Sequence, residues 1–353
     1  MPYENQEEID KKTMKQDNII LSVKNVVKHF DISGGFLDQI KFKNGRIGLE
    51  KVTVKAVNDV SFFVKKGEVL GVVGESGCGK STIARVIMGL YPPNSGEIYY
   101  DGKRIDNLTH EQMLPFRKKM QMIFQDPYAS LNPRKTVQQT LEEPLRFHHP
   151  EFSNSEIKDK IEEVMEQVGV DHAWIKRYPH EFSGGQRQRI SIARGLILDP
   201  EFIVADEPVS ALDVSIQAQI LNLLMKAGRE RDLTYLFITH DLSVVRHIST
   251  RVAVFYLGTI CELAKSQDLF ANPRHPYTKA LLSAIPVVGE KSAKHIKLKG
   301  EVPTPVELPT GCVFHSRCVY ADERCSTQVP LLRTLESGSS VACHAVEENR
   351  IPN

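Results

Sequence analysis

The sequence predicts an α/β protein built around a mostly parallel sheet. Short, almost entirely apolar runs are typical of strands buried on both faces, and they occur at residues 69–73, 202–205, 234–238 and 252–256. Amphipathic helical patterns alternate with these runs, as in the apolar stripe of Ile83, Val86, Ile87 and Leu90. Such alternation is typical of strand–helix units that share one central sheet.

The other elements follow in chain order. A first strand is expected at residues 19–27, a loop or ribbon at 31–51, and renewed strand pairing at 52–64. Residues 126–198 are expected to be mainly helical, and Ser153 with Glu156 forms a capping-box signal there. The apolar stripe behind this signal consists of Ile157, Ile161, Val164, Met165 and Val168.

A further helix is expected at residues 215–226, between two of the buried strands. A segment with several prolines and lysines, residues 286–311, predicts an extended linker. The domain organisation expected is a tail at 1–17, a main α/β domain at 18–265 with a helical subdomain near 126–198, and a C-terminal region at 266–353.

Composition places the chain among ordinary globular proteins. It has 353 residues, 41% apolar and 25% charged, with a formal net charge of +1. The chain lacks the basic excess that is typical of proteins that bind nucleic acid. No run approaches the roughly 20 apolar residues that a membrane span needs, and the polar start at 1–17 predicts a disordered tail rather than a secretory signal. We therefore expect a cytosolic chain, with any membrane spans supplied by other chains.

A phosphate-binding loop is the most specific motif. Residues 74–81 read GESGCGKS and fit the pattern G-x-x-x-x-G-K-[ST], between a buried strand and an amphipathic helix. Glycines let backbone N–H groups approach phosphate oxygens, Lys80 adds a positive charge, and the Ser81 hydroxyl suits Mg²⁺. A glycine-rich turn of purely structural purpose is the alternative. The predicted ATP-binding residues are Gly74, Glu75, Ser76, Gly77, Cys78, Gly79, Lys80, Ser81 and Thr82.

Two adjacent acids, Asp206 and Glu207, end one of the buried strands. The carboxyl ends of such strands face the ligand crevice of an α/β sheet. Asp206 is therefore predicted to help hold Mg²⁺, and Glu207 to polarise the attacking water as a general base. The alternative is that the two acids only cap the turn at Pro208.

An ordered set of further motifs resembles the ABC ATPases. Residues 182–187, FSGGQR, resemble the signature loop of that family, and Ser183 precedes Asp206 by 23 residues. Gln125 lies 45 residues after Lys80 and matches the Q-loop. The remaining matches are Asp213 in the D-loop, His240 as the switch histidine and Phe30 as the aromatic residue that stacks on adenine.

This resemblance implies the fold of an ABC-type P-loop ATPase. Such a fold has a RecA-like core with a mostly parallel sheet, an antiparallel β subdomain and a helical subdomain that carries the signature. It also implies that Glu207, His240 and Gln125 are catalytic, and that Gln125 joins Ser81 and Asp206 around Mg²⁺. The signature residues then contact ATP held by a partner subunit; they are Ser183, Gly184, Gly185 and Gln186.

Within the ABC ATPases, nearly the whole chain is similar to the oligopeptide/dipeptide importer ATPases, most of all the OppF/DppF type. The segments that carry this similarity are residues 125–133, 210–218, 275–286 and 300–312. The resemblance implies a peripheral ATPase on the cytoplasmic face of the membrane that powers peptide uptake. Its implied partners are a related second ATPase, two permease chains and an external solute-binding protein. Relatives with the same tail import nickel or glutathione, so either cargo is an alternative.

Four cysteines crowd the C-terminus, with five, six and seventeen intervening residues. They are Cys312, Cys318, Cys325 and Cys343. Four thiolates suit zinc or an iron–sulfur cluster, and resemblance to family members favours [4Fe–4S], with Zn²⁺ as the alternative. At a zinc site, His315 or His344 could replace one thiolate. The alternative to any metal site is that the cysteines are buried free thiols.

Two other functions are alternatives to that of an importer ATPase. A non-transport ABC ATPase that acts on ribosomes or DNA usually has two fused motor domains or long coiled insertions, and neither occurs in this sequence. Another P-loop enzyme, such as a nucleotide kinase, would leave the motif at 183–186 unexplained.

Overall fold

The computed structural model of the chain describes residues 17–33, 40–43, 46–49, 51–285 and 296–351. The described strands are β1 (Ile19–Asp31), β2 (Ile40–Lys43), β3 (Arg46–Leu49), β4 (Thr53–Lys65), β5 (Val69–Val73), β6 (Ser95–Tyr100), β7 (Lys103–Arg104), β8 (Met120–Ile123), β9 (Phe202–Asp206), β10 (Thr234–Ile238), β11 (Arg251–Tyr256), β12 (Thr259–Lys265), β13 (Arg333–Thr334) and β14 (Ser340–Val341).

Helices connect most of these strands. In chain order they are α1 (Lys80–Ile87), α2 (His110–Lys119), α3 (Pro127–Ser130), α4 (Val137–His148), α5 (Asn154–Val168), α6 (Gly184–Leu196), α7 (Val214–Arg231), α8 (Leu242–Ile248), α9 (Ser266–Ala271), α10 (Pro276–Ser283), α11 (Glu323–Thr327) and α12 (His344–Glu347). Short 3₁₀ turns lie at His172–Trp174, Pro179–Glu181 and His315–Arg317.

The central sheet has the strand order β13-β14-β12-β11-β5-β10-β9-β8 within the described chain. The strands from β11 to β8 pair in parallel, with Val69 opposite Tyr235 and Phe202 opposite Thr234. Every residue of β5, β9 and β10 is buried, as expected for strands covered on both faces. The predicted mostly parallel core is confirmed.

A second, antiparallel sheet has the order β4-β1-β6-β7. Between its first two strands in the sequence, β2 and β3 pair antiparallel as a two-stranded ribbon. Of the loop or ribbon that the sequence predicts at residues 31–51, the structure therefore shows a ribbon. Together with the central sheet, this antiparallel layer matches the expected ABC-type ATPase architecture.

Helices α3 to α6 fill the segment between β8 and β9. The Ser153 hydroxyl accepts a hydrogen bond from the backbone N–H of Glu156, whose carboxylate accepts from the N–H of Ser153, which completes the predicted capping box. The five residues of the predicted apolar stripe on α5 are buried. They pack in one hydrophobic cluster with the signature helix α6.

Leu90 departs from the predicted stripe of α1. Ile83, Val86 and Ile87 are buried, but Leu90 is 50% exposed. The helix ends first, because Gly89 turns the chain with a φ of 65° in the left-handed region. Leu90 therefore lies beyond the helix and does not join its apolar face.

The C-terminal part of the chain extends the central sheet. Val341 of β14 pairs with Glu262 of β12, and the Glu262 carboxylate is fully buried. It accepts hydrogen bonds from the backbone N–H groups of Arg274 and His275, each 2.9 Å long. These bonds attach the start of α10 to the sheet.

The predicted tail and linker are only partly described. Of the tail at residues 1–17, only Asp17 lies within the described residues, and linker residues 286–295 lie outside them. Residues 296–311 contain neither helix nor strand. Their Pro305 carbonyl accepts a 2.9 Å hydrogen bond from the N–H of Lys55 in β4. Throughout the described ranges, each helix is too short or too polar to cross a membrane.

Candidate functional site

The phosphate-binding loop joins β5 to α1 in a conformation that needs glycine. Gly74 and Gly79 have φ values of 155° and 102°. A Cβ on Gly74 would lie 2.2 Å from the Phe255 carbonyl oxygen, and one on Gly79 would lie 2.2 Å from the Ala56 carbonyl oxygen. The loop is thus wedged against two backbone segments, and only glycine fits there.

Lys80 closes this loop from inside. Its ammonium group donates hydrogen bonds to the carbonyl oxygens of Gly74 and Glu75, at 2.8 and 3.0 Å. The residue is only 4% exposed. Cys78 is also buried, and desolvation raises the pKa of its thiol. Cys78 is therefore a neutral packing group, whereas the Lys80 amine bonds to carbonyl groups of the loop itself.

Ser81 and Asp206 form the candidate magnesium position. The Ser81 hydroxyl donates a 2.7 Å hydrogen bond to Oδ1 of Asp206. Asp206 is 2% exposed, and burial raises the pKa of its carboxyl group. A hydroxyl and a carboxylate are the hard oxygen ligands that Mg²⁺ prefers, so the residues present fit that ion.

Gln125 and His240 converge on Glu207. Gln125 Nε2 donates to Glu207 Oε2 at 3.0 Å, and His240 Nδ1 lies 3.2 Å from the same oxygen. These residues follow β8, β9 and β10, which are neighbours in the sheet, so the convergence arises from its topology. Gln125, the third predicted magnesium ligand, thus bonds to Glu207, while Ser81 and Asp206 bond to each other.

A cleft of about 560 Å³ lies over the loop. Phe30, Glu207 and His240 are among the predicted residues that line it. Phe30 also packs edge-on against Tyr91, with ring centroids 5.3 Å apart. The other predicted residues on its wall are Ser76, Gly77, Gly79, Lys80, Ser81, Thr82 and Gln125.

The signature residues do not line this cleft. Ser183 caps α6, where its hydroxyl and the Gln186 side chain form a capping box. Gly185 lies so close to α7 that a Cβ there would be 2.6 Å from Ile216. Asp213 is exposed at the N-cap of α7 and makes no side-chain capping bond. The signature turn therefore lies outside the cleft over the chain's own loop.

The four C-terminal cysteines do not form the predicted metal site. Within the described ranges, which contain all four, no group of three or more His, Cys, Asp or Glu side chains is arranged to hold a metal ion. Burial raises the pKa of Cys312 to about 12 and that of Cys343 to about 11, so both are neutral thiols. His315 and His344 bond to backbone carbonyl groups. An iron–sulfur or zinc site is not supported.

Two residues near the loop were missed by the sequence analysis. Arg317 and Tyr277 both come from the C-terminal region, and both contact Glu75. Tyr277 lies in the segment 275–286, which served only for the family resemblance, and Arg317 lies in none of the motifs. In the sequence, 242 positions separate Arg317 from Glu75.

Comparisons with known proteins agree with this geometry. The ABC transporter family matches residues 57–210, and the family described as oligopeptide/dipeptide transporter, C-terminal region, matches residues 261–325. The oligopeptide transport ATP-binding protein AppF of Bacillus subtilis (strain 168) is 50% identical over 336 residues, 94% of this chain and 99% of that protein. The oligopeptide transport ATP-binding protein OppF of Escherichia coli (strain K12) is 46% identical over 338 residues, 93% and 97% of the two chains.

Solved structures give the same fold. The dimeric ATP-binding cassette MJ0796 in a post-hydrolysis state, bound to ADP and Pi, is 29% identical with a TM-score of 0.59, over 70% of this chain and 99% of that one. The phosphate loop, the acids that end β9 and matches over nearly the full length of these relatives point to one conclusion. The chain belongs to the ABC transporter family, in its oligopeptide/dipeptide branch, and is an ATPase coupled to transport.

Proposed function

We propose that this chain is the ATP-hydrolysing subunit of an importer that takes up peptides across the cytoplasmic membrane. The similarity to peptide-transport ATP-binding proteins such as AppF and OppF, at about half identity over nearly the whole chain, supports a peptide cargo. The observation that carries the ATPase role is the meeting of Gln125 and His240 on one oxygen of Glu207, beside the phosphate loop.

Each side chain of the site has a proposed part in hydrolysis. Lys80 and the backbone N–H groups of the loop bind the β- and γ-phosphates of ATP. Ser81 and Asp206 would hold Mg²⁺, which neutralises phosphate charge when bound. Glu207 accepts a proton from the water that attacks the γ-phosphorus, while the bond to the β–γ bridging oxygen breaks and ADP leaves.

Gln125 and His240 orient this base. Both side chains contact Glu207 Oε2, which leaves Oε1 available to the water. Phe30 would stack on the adenine. These roles extend the assignments from motif spacing, and the distances in the cleft support them.

The signature turn acts on a second subunit. Ser183, Gly184, Gly185 and Gln186 would bind the γ-phosphate held in the partner's loop, since they do not line this chain's own cleft. Asp213 would lie at the same subunit boundary. The dimeric state of the related cassette MJ0796 supports this arrangement. The partner here is proposed to be a related but different ATPase.

The complete importer would also contain two membrane-spanning permease chains and an external solute-binding protein. This chain would then be peripheral, on the cytoplasmic face. We propose its division into an ATPase domain at 18–265 and a C-terminal region at 266–353. The match of residues 261–325 to the transporter C-terminal family supports a boundary near the end of β12.

Uptake measurements in a strain that lacks only this subunit test the cargo. Loss of dipeptide or oligopeptide uptake, restored by the wild-type chain but not by the Glu207→Gln variant, is the expected result. Normal peptide uptake together with lost nickel or glutathione uptake would replace the peptide cargo with one of those alternatives. Normal uptake of all three would contradict the importer role itself.

A further inference from the structure

The C-terminal region reaches into the phosphate loop through Arg317. Arg317 Nη1 lies 3.2 and 3.0 Å from the two carboxylate oxygens of Glu75, the second residue of the loop. Arg317 is 9% exposed and the Glu75 side chain 25%. The pair is therefore largely shielded from water, where an ionic contact is stronger than at the surface.

Tyr277 makes a second contact with the same loop residue. Its hydroxyl oxygen accepts a hydrogen bond from the backbone N–H of Glu75 at 3.1 Å. Tyr277 is fully buried. The centroid of its ring lies 4.7 Å from that of Tyr256 and 5.4 Å from that of Phe314. The hydroxyl is thus held at a fixed position by surrounding rings.

Glu75 is consequently bonded at three points. Its side chain bonds to Arg317, its N–H to Tyr277, and its carbonyl oxygen accepts from Lys80 at 3.0 Å. The last bond belongs to the loop itself, whereas the first two come from the C-terminal region. The backbone of the loop is therefore fixed from outside the ATPase core.

The charge of Glu75 makes this contact important for an anionic ligand. A carboxylate in the loop that receives phosphates repels them unless a cation offsets its charge. Arg317 supplies that cation within hydrogen-bonding distance. Stability alone explains the pair poorly, because Arg317 Nε is buried without a hydrogen-bond partner and buried ion pairs often add little to folding.

We infer that the C-terminal region completes the ATP site of its own chain, with Arg317 and Tyr277 as positioning residues for the phosphate loop. They hold Glu75 so that the loop's N–H groups face the nucleotide, and Arg317 cancels the repulsion between Glu75 and the phosphates. This inference rests on the proposed assignment of residues 74–82 to phosphate binding. It is independent of the cargo and of the partner subunit.

Titration of the full-length chain with Mg·ATP, in competition with a fluorescent ATP analogue, gives the dissociation constants that test it. Arg317→Gln should weaken ATP binding on the order of tenfold, because Glu75 is left with an uncompensated charge. Adding Glu75→Gln to the Arg317→Gln variant should restore most of that affinity, because it removes the uncompensated charge. Tyr277→Phe, which keeps the ring but loses the hydroxyl, should weaken binding about threefold.

Arg324→Gln is the matched control. It breaks ion pairs of the C-terminal region with Glu347 and Glu348, at 3.1 and 2.6 Å, that do not touch the loop. Its affinity for ATP should equal that of the wild type, even where its melting temperature falls.

Two results would overturn the inference. One is an unchanged affinity for ATP in both Arg317→Gln and Tyr277→Phe. The other is a double variant, Arg317→Gln with Glu75→Gln, that binds ATP as weakly as Arg317→Gln alone. If Arg317→Gln does not fold, Tyr277→Phe decides alone. A Lys80→Ala variant that still binds ATP normally would instead show that the proposed phosphate site is wrong. The two failures are therefore distinguishable.

Discussion

At the residue scale, Glu207 combines an unusual backbone with a directed side chain. Its φ is 47°, in the left-handed region that a side chain rarely adopts, and such a conformation costs on the order of 1–3 kcal/mol. Its N–H donates to the Ile238 carbonyl at 2.9 Å, which holds the residue in place. Strain of this kind is tolerated where the surrounding structure fixes it, and here it directs the carboxylate to Gln125 and His240.

Replacing Glu207 with Gln should stop hydrolysis but keep ATP bound. Loss of the general base lowers turnover roughly 10²–10⁴-fold, while the amide keeps the shape of the side chain. Phosphate release and nucleotide retention measure the two effects. Glu201→Gln at the other end of β9, where Glu201 pairs with Lys119 at 2.7 Å, is the control and should keep normal turnover. Rapid turnover in Glu207→Gln would contradict the assignment of the base.

At the element scale, the phosphate loop depends on glycines that are not equivalent. Gly79 has a φ of 102° and no space for a Cβ, since the Ala56 carbonyl would be 2.2 Å away. Gly77 has a φ of 77°, but nothing lies within 4 Å of its Cβ position. Gly79 is required by close packing as well as by its dihedral angles, whereas Gly77 is required by its dihedral angles alone.

Alanine should therefore affect the two positions differently. Gly77→Ala should lower the free energy of unfolding by about 1 kcal/mol, the usual cost of a side chain in the left-handed region. Gly79→Ala should lower it by more than about 3 kcal/mol, because the backbone must also move, and it should lose ATP binding. Urea denaturation and ATP titration compare the two variants directly. Equal effects of the two alanines would show that the packing against Ala56 does not constrain the loop.

At the scale of the whole molecule, the signature turn and the chain's own ATP cleft are separate surfaces. Ser183 lies outside the cleft that Lys80 and Glu207 line. Under the proposed function, each subunit would supply the phosphate loop of one ATP site and the signature turn of another.

Ser183→Arg should abolish ATP hydrolysis by the assembled importer while the isolated chain still binds ATP normally. The added side chain fills the space that the partner's γ-phosphate needs, and it leaves this chain's own loop unchanged. Ser153→Arg is the control, since both serines are N-caps with a capping box and each should lose about 1 kcal/mol of stability. Loss of ATP binding by the isolated Ser183→Arg chain would place the signature in its own cleft.

The docking of the C-terminal region should make stability depend on pH through His275. This residue is 1% exposed, and burial lowers its pKa from 6.5 to about 3. Its Nδ1 accepts from the N–H of Tyr277 at 3.0 Å, so the neutral ring is required. Below pH 6.5 the unfolded chain takes up a proton that the folded chain does not, and the stabilisation falls as pH decreases towards 3.

Between pH 7 and pH 5 this effect amounts to about 2 kcal/mol. His275→Asn keeps a side-chain cap for α10 and should remove that part of the pH dependence. Denaturation midpoints from pH 5 to pH 7 measure it, with His172→Asn at an exposed histidine as the control. Wild type and His275→Asn with the same pH slope would exclude His275 as the origin.

Local features of this protein were determined by the sequence. The phosphate loop, the capping boxes of α5 and α6 and the buried strands β5, β9 and β10 depend on interactions within a few residues or on side-chain periodicity. Spacing and residue type are sufficient for such features because each partner lies close by in the chain. The end of α1 before Leu90 was missed, since the turn at Gly89 interrupts the periodic pattern.

Tertiary structure decided what depends on the order of strands and on long-range docking. Gln125 and His240 reach one oxygen of Glu207 because β8, β9 and β10 are neighbours, although they are far apart in the chain. The spacing of the four cysteines suggested a metal site, yet it does not fix where their side chains point. Arg317 contacts Glu75 although 242 positions separate them and no motif marks the pair. An ion pair between residues so far apart in the sequence depends on tertiary packing and leaves no periodic signal in the sequence.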